Sequence, residues 1–351
     1  MLNRITRFRR FSSKPKCITE FENRIFDINN NISIKETLGN NFLISNKKFK
    51  INDIIYTNNT YLIPNDYNEK ISLNLKDNNN KITKYMIDKT NSVKINKTER
   101  QLYTYDGFMN HSCDPNIYPI FDDDSIDDNI DSIVAAIKDI NIGDELTCNY
   151  LLYDYECDGH QFDCNCGSSN CYKHIKGFKN LSLEEKVKIL HLVDINVLEQ
   201  FKEDNPNIII IDNNKLPNSL IIDDKTDNIA LKSKQEFKIN DEIFENDIMH
   251  INHNNIIIMK LNNKYELINN IKQTVNKIDY REFYYFDSYM NHSCDPNTKR
   301  IYTSDNKYKM ICIKDIYQGD ELTCDYGIFD LKNEDDVFKC NCGNKNCRVE
   351  I

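Results

Sequence analysis

The sequence predicts a mainly β protein built from two tandem, domain-sized units joined by a helical linker. Three observations lead there. Three blocks recur in the same order: FMNHSCDPN at Phe108–Asn116 and YMNHSCDPN at Tyr289–Asn297; GDELTC(N/D)Y at Gly143–Tyr150 and Gly319–Tyr326; and FxCNCGxxxC at Phe162–Cys171 and Phe338–Cys347. Apolar residues come as short β-branched runs bounded by Asn, Asp and Gly, which is how strands read. One helix is easy to place, and it lies between the copies.

The first blocks are 181 residues apart (Asn110 to Asn291), and the other two pairs 176 apart (Gly143 to Gly319, Cys164 to Cys340). Copy 1 therefore carries 5 extra residues between its first two blocks. They are assigned to the acidic stretch Asp122–Asp131, read as a solvated loop or as bait for a basic substrate segment. The period is too long for a solenoid, and 351 residues suit about two domains. The expected boundaries are a tail or targeting peptide at Met1–Lys16, a first domain at Cys17–Leu181, a linker at Ser182–Asn205 and a second domain at Pro206–Ile351.

The strand candidates are Phe42–Ser45, Ile54–Tyr56, Ile133–Ile137, Ile208–Ile211, Ile256–Met259 and Met310–Ile313. The linker helix opens on a capping box, with Ser182 as N-cap and Glu185 at N3. Leu183, Val187, Leu190, Leu198 and Phe201 follow at near-helical spacing, interrupted at Asp194, and Pro206 bounds the helix.

Composition narrows the function. The net charge of −10 leaves no basic footprint for direct nucleic-acid binding. It suits a Lys-rich protein partner, and equally it serves solubility. No apolar run approaches the ~18 residues that span a bilayer. Met1–Lys16 carries Arg4, Arg7, Arg9, Arg10, Lys14 and Lys16 with no acid before Glu20. That start reads as a mitochondrial presequence or as a disordered basic tail. The chain is thus expected to be intracellular: mitochondrial on the first reading, nuclear or cytoplasmic on the second.

Six of the 13 cysteines form two C-x-C-x4-C clusters, Cys164, Cys166 and Cys171, and Cys340, Cys342 and Cys347. Without a secretory signal, clustered cysteines read as metal ligands rather than disulfides. Three thiolates leave a tetrahedral zinc one ligand short. Cys113 and Cys294 lie in Pro-containing turns that can aim a side chain outward, whereas Cys148 and Cys324 lie in extended runs facing a core. Two zinc sites are therefore expected, completed by Cys113 and Cys294. Gly167 and Gly343 permit the tight turn of a metal knuckle.

Taken together, NHSCDPN, GDELTxxY and CxCGxxxC resemble the SET and post-SET regions of SET-domain protein-lysine methyltransferases. The resemblance covers Tyr105–Leu181 and Tyr285–Arg348, including the tail CYKHIKGFKNL at Cys171–Leu181. Further upstream, Phe49–Asp53 and Phe237–Asp241 look like the family's F-x-x-G-(D/E) turn with Asn in place of Gly. The resemblance implies two SET-like folds, each a set of small curved sheets with a knot-like crossing, closed by a post-SET zinc cluster. It implies transfer of a methyl group from S-adenosyl-L-methionine to a lysine of a protein or peptide. Tyr150 and Tyr326 match the catalytic tyrosine; Asn110 with His111, and Asn291 with His292, match the pair that contacts the cofactor.

Two departures follow. Of the Gly-x-Gly that lets the cofactor approach the backbone, copy 1 keeps only Gly39 and copy 2 neither glycine, which favours copy 1 as the catalyst and copy 2 as a zinc-stapled scaffold. Copy 2 nevertheless keeps Asp325-Tyr326-Gly327, closer to the common D-Y-G. Cys148 and Cys324 stand where most members carry Phe or Tyr; a small side chain there either leaves room for higher methylation or is plain core. The competing reading of the whole chain is a non-catalytic SET-like scaffold that binds peptides.

Overall fold

The computed structural model describes residues 14–37, 40–58, 60–120, 132–157, 161–211, 216–223, 229–252, 254–261, 264–268, 274–276, 281–304, 307–326 and 339–349. Most of the basic start, Gly39, the acidic stretch of copy 1, Gly327 and Phe338 lie outside them. The chain divides into two compact units: unit 1 spans 1–186 and 192–204, and unit 2 spans 187–191 and 205–351.

Unit 1 is a set of small sheets. Helix Lys16–Glu22 buries Ile18 and Phe21, and the Phe21 ring meets Phe26 and Tyr61. Strand Ile71–Lys76 pairs with Ile25–Asp27 on one side and Ile82–Ile87 on the other. Ile32–Thr37 and Asn40–Ser45 form a hairpin. Glu99–Tyr103 lies between Thr60–Pro64 and Ser92–Lys94, and Ser132–Ala136 between Ile54–Asn58 and Ile117–Ile120. Most strands are short and alternate, as in Asn40–Ser45, where Leu43 and Ser45 are buried.

Unit 2 repeats much of this pairing. Glu242–Ile251 is the middle strand of a five-stranded sheet, flanked by Arg281–Tyr284 and Lys307–Cys312, with Thr274–Asn276 and Thr298–Ser304 outside. Ile208–Ile211 runs parallel to Ile256–Leu261. Leu231, Phe283, Tyr308, Met310 and Leu322 form the fully buried centre of its core.

In both units the turn that replaces a glycine with asparagine works because asparagine tolerates the left-handed region. Asn52 has φ 73° and Asn240 φ 75°. Asp53 and Asp241 close these turns, each accepting a backbone N–H from the lysine three residues earlier at 2.7 Å.

The element shared by both units is a two-residue parallel pair. Asn110–His111 pairs with Thr147–Cys148, and Asn291–His292 with Thr323–Cys324. This brings the first and second sequence blocks side by side.

The expected strands are present: Phe42–Ser45 within Asn40–Ser45, for example, and Met310–Ile313 within Lys307–Cys312 save its last residue. The linker is two helices, Leu183–Ile189 and Ile195–Asp204. Ser182 Oγ accepts the Glu185 N–H while Glu185 accepts the Ser182 N–H, and Asp194 starts the second helix by accepting from Asn196.

The tail after Cys171 folds back onto unit 1. Phe178 is fully buried against Tyr155 and Phe201. Gly177 makes the return possible: its φ is 89°, and a Cβ there would stand 2.6 Å from the Tyr155 carbonyl oxygen. Gly177→Ala should therefore cost about 3 kcal/mol or more, from left-handed strain plus a backbone clash. Urea unfolding would show a large drop in midpoint; a loss under about 0.5 kcal/mol would contradict this packing.

Candidate active site and metal centres

The parallel pair puts a histidine next to the chain leaving the second block. The Tyr150 backbone N–H donates to His111 Nδ1 at 3.1 Å, and His111 Nε2 lies 3.2 Å from Cys113 Sγ. Burial pushes the imidazole down to about 4, so it is neutral near pH 7. A neutral imidazole carries one N–H, and Nδ1 is an acceptor here. The proton therefore sits on Nε2 and points at the Cys113 sulfur. Unit 2 repeats the arrangement, with Tyr326 N–H to His292 Nδ1 at 3.1 Å and Nε2 3.2 Å from Cys294 Sγ. Both ring nitrogens of each histidine are thus engaged within the protein.

The two tyrosines are held twice. Besides the backbone bond, the Tyr150 hydroxyl donates to the Met109 carbonyl at 2.5 Å, and Tyr326 donates to Met290 at 2.5 Å. Burial raises both phenols, so they remain protonated donors. Tyr150 lines a narrow cavity of unit 1 with Met109, Cys148 and Tyr153. Cys148 is buried on that wall, so its small side chain leaves space in the cavity.

Asn110 is exposed and gives its Nδ2–H to Glu145 Oε1 at 2.7 Å. Asn291 does the same to Glu321 at 2.6 Å and also reaches the Ile229 carbonyl. The repeated Gly-Asp-Glu-Leu block therefore contributes a carboxylate beside each asparagine.

Arg100 stands behind the part of the cavity wall formed by residues 90–93. This fully buried guanidinium donates to Ser92 Oγ, the Ser92 and Lys89 carbonyls and Asn65 Oδ1, pinning 89–92 against the rest of unit 1. Asn91 in turn grips Gly107 through its carbonyl at 2.7 Å, and a Cβ at Gly107 would meet Asn91 O at 2.9 Å. There is thus no space for a side chain at Gly107.

Cys113, Cys164, Cys166 and Cys171 place their sulfurs within 4.8 Å of one another. A tetrahedral metal with bonds of about 2.3 Å to sulfur needs sulfur–sulfur edges of about 3.8 Å. Cys113 is 3.8 Å from Cys164 and 3.9 Å from Cys171. Backbone N–H groups of Tyr172 and Lys173 point at Cys113 and Cys171, a pattern that favours thiolates. Backbone donors at Cys113 and Ser168 pull Cys166 down to about 6. The four residues fit a tetrahedral metal ion.

In unit 2, Cys294, Cys340 and Cys342 lie within 4.8 Å of one another, with Cys294 and Cys340 3.7 Å apart; His292 lies as close, but its Nδ1 accepts from Tyr326 and its Nε2 proton faces Cys294, so neither nitrogen offers a lone pair to a metal. Cys347 stands beside Cys340, its sulfur 3.5 Å from the Cys340 carbonyl oxygen, as that of Cys171 is from the Cys164 carbonyl oxygen in unit 1.

A SET domain model matches residues 40–151 and 190–327. The chain belongs to the SET-domain family. As a member of that family it is 41% identical over 63 residues to the Histone-lysine N-methyltransferase trr of Drosophila melanogaster, a stretch that is 17% of this chain and 3% of that protein's length. The crystal structure of a candidate histone methyltransferase from Plasmodium falciparum is 25% identical, covering 35% of this SET protein and 95% of that chain, with a TM-score of 0.25. The matched segments contain Asn110, His111 and Tyr150 in the first and Asn291, His292 and Tyr326 in the second.

If each cysteine cluster holds one metal, purified protein should carry two equivalents, one of them lost in Cys171→Ser. That variant should also lose about 3 kcal/mol or more of stability, since structural metal binding supplies folding free energy. Metal analysis and thermal unfolding check both; unchanged content and midpoint would contradict the assignment.

Proposed function

We propose that unit 1 transfers a methyl group from S-adenosyl-L-methionine to the side chain of a lysine in a protein, and that zinc fills the cysteine sites. The observation that carries this reading is the place of Tyr150. It lines a narrow cavity while its backbone is tied to His111 and its hydroxyl to the Met109 carbonyl. A phenol fixed at both ends is a positioned group, and positioning supplies much of the acceleration in an in-line displacement.

Bound S-adenosyl-L-methionine supplies a methyl on a sulfonium, whose C–S bond breaks as the lysine nitrogen bonds to carbon. Asn110, Glu145 and the backbone at His111 would hold its polar ends, which they suit: an exposed amide beside a carboxylate offers both a donor and an acceptor for an amino-acid group. Tyr150 orients the amine. The amine must lose its proton to solvent before it attacks, and Met109 and Cys148 give it an apolar wall beside Tyr150. The four-sulfur set of unit 1 suits zinc, which is borderline-soft and prefers closed tetrahedral thiolate sites.

Two grounds make a lysine-rich protein such as a histone tail the first substrate to try: the net charge of −10, and the histone-lysine activity for which the Drosophila relative is named. Unit 2 is read as the zinc-bound partner fold rather than the catalyst, because copy 2 keeps neither glycine of the Gly-x-Gly.

Isothermal titration with S-adenosyl-L-methionine should give about one equivalent of binding heat, and Tyr150→Phe should reduce methyl transfer to a histone-tail peptide by at least about tenfold with cofactor binding retained. No heat and no cofactor protection against unfolding would favour the scaffold reading. Wild-type turnover in Tyr150→Phe would remove the tyrosine's role.

A further inference from the structure

The two units differ at one wall in a way that shows what unit 1's cavity holds. That cavity is ≈ 70 Å³, room for the end of one side chain, and is lined by Tyr103, Asp106, Met109, Pro119, Cys148 and Tyr150 among others. Asp106 accepts the Tyr56 hydroxyl at 2.6 Å. No Lys, Arg or His lines the cavity among the described residues. Burial without a cation raises the Asp106 carboxyl to about 6.

Strand register matches this wall to unit 2 residue by residue. Tyr103 pairs with Thr60 as Tyr284 pairs with Ile248. Pro119 pairs with Val134 as Arg300 pairs with Met310, and Val134 and Met310 in turn pair with Tyr56 and Phe244. Ser132 pairs with Asn58 as Tyr308 pairs with Asn246. Tyr284, Asp287, Arg300 and Tyr308 therefore stand where Tyr103, Asp106, Pro119 and Ser132 stand in unit 1.

In unit 2 this place is filled by a cation from the chain itself. The Arg300 guanidinium lies 3.6 Å from the Tyr284 ring centre and 5.1 Å from that of Tyr308. Its Nε donates to Asp287 Oδ2 at 3.0 Å and its Nη2 donates to the same oxygen. The Tyr308 hydroxyl donates to Asp287 Oδ1 at 2.7 Å, replacing the phenol that Phe244 lacks and Tyr56 supplies in unit 1. A buried carboxylate with tyrosine faces around it is a cation site. Unit 1 keeps the carboxylate and the first tyrosine, but Pro119 has no side chain to reach them.

We propose that the unit 1 cavity is a subsite for the alkylammonium head of a ligand, held by Asp106 and the face of Tyr103, and that Arg300 closes the matching subsite of unit 2. The identity of that ligand as a substrate lysine rests on the function proposed above; the cation subsite does not. Pairing with Asp106 holds the ammonium charged, so the subsite docks a cationic head before its proton is lost. On this account the chain offers one acceptor channel, not two.

Met109 lines the cavity of unit 1, and Met290 is its counterpart in unit 2. Their methyl NMR signals report the two units separately. Titration of the full chain with n-butylammonium, without cofactor, should shift Met109 saturably and leave Met290 unmoved. Asp106→Asn should weaken the Met109 response by at least about tenfold. Arg300→Ala should make Met290 respond as well. Should Arg300→Ala not fold, Pro119→Arg gives the reciprocal test: unit 1 should then carry its own plug and Met109 should fall silent. A Met109 shift that survives Asp106→Asn or Pro119→Arg at wild-type strength, or no shift at all, overturns the subsite. Methyl transfer with Met109 silent would keep the enzyme reading and sink only the subsite; Asp106-dependent binding without any methyl transfer would do the reverse.

Discussion

A histidine used at both ends holds the parts of each unit together. His111 takes the Tyr150 backbone N–H on one nitrogen and faces Cys113 with the other, so one imidazole joins the tyrosine of the second block to the thiol that meets the C-terminal cysteines. It can do this only while neutral and only in one tautomer, because each nitrogen has a fixed role. Burial keeps it neutral, and the Tyr150 N–H fixes the tautomer. The geometry explains why N-H-S-C, G-D-E-L-T-x-x-Y and C-x-C-G-x3-C recur as a set: each block supplies one corner of a single local structure. His292 does the same for unit 2.

Around that shared frame the units are free to diverge, and they do so in compensating groups. Where unit 1 has Tyr56 to serve its buried aspartate, unit 2 has Phe244 and moves the phenol to Tyr308. Where unit 1 leaves a cavity beside Pro119, unit 2 fills it with Arg300. The buried polar group is satisfied in both, as its desolvation demands, but by different partners. One consequence is a unit whose wall faces open space and another whose wall is neutralised from within.

Much of this was legible in the sequence. The capping box at Ser182 and Glu185, the interruption at Asp194 and the asparagine turns at Asn52 and Asn240 are local, and local chemistry is written in adjacent residues. The four cysteines of unit 1 were legible because ligand spacing is a strong pattern. Helix Lys16–Glu22 was not, since Pro15 precedes it and no side chain caps it. The Asp106 and Arg300 relation was hidden for a different reason. It joins single residues from separate strands, and only the register shows that Pro119 and Arg300 hold the same place. The repeated Tyr-x-x-Asp at Tyr103–Asp106 and Tyr284–Asp287 was the trace it left in the chain.

The most direct test of this account is the tautomer of the two histidines, read from long-range proton–nitrogen correlation spectra of the full chain and assigned with His111→Asn and His292→Asn. Both rings should be neutral at pH 7, with Nε2 protonated and Nδ1 bare. An Nδ1–H tautomer or an imidazolium at either position would mean that the histidine does not join its tyrosine to its cysteine, and the shared frame described here would fail.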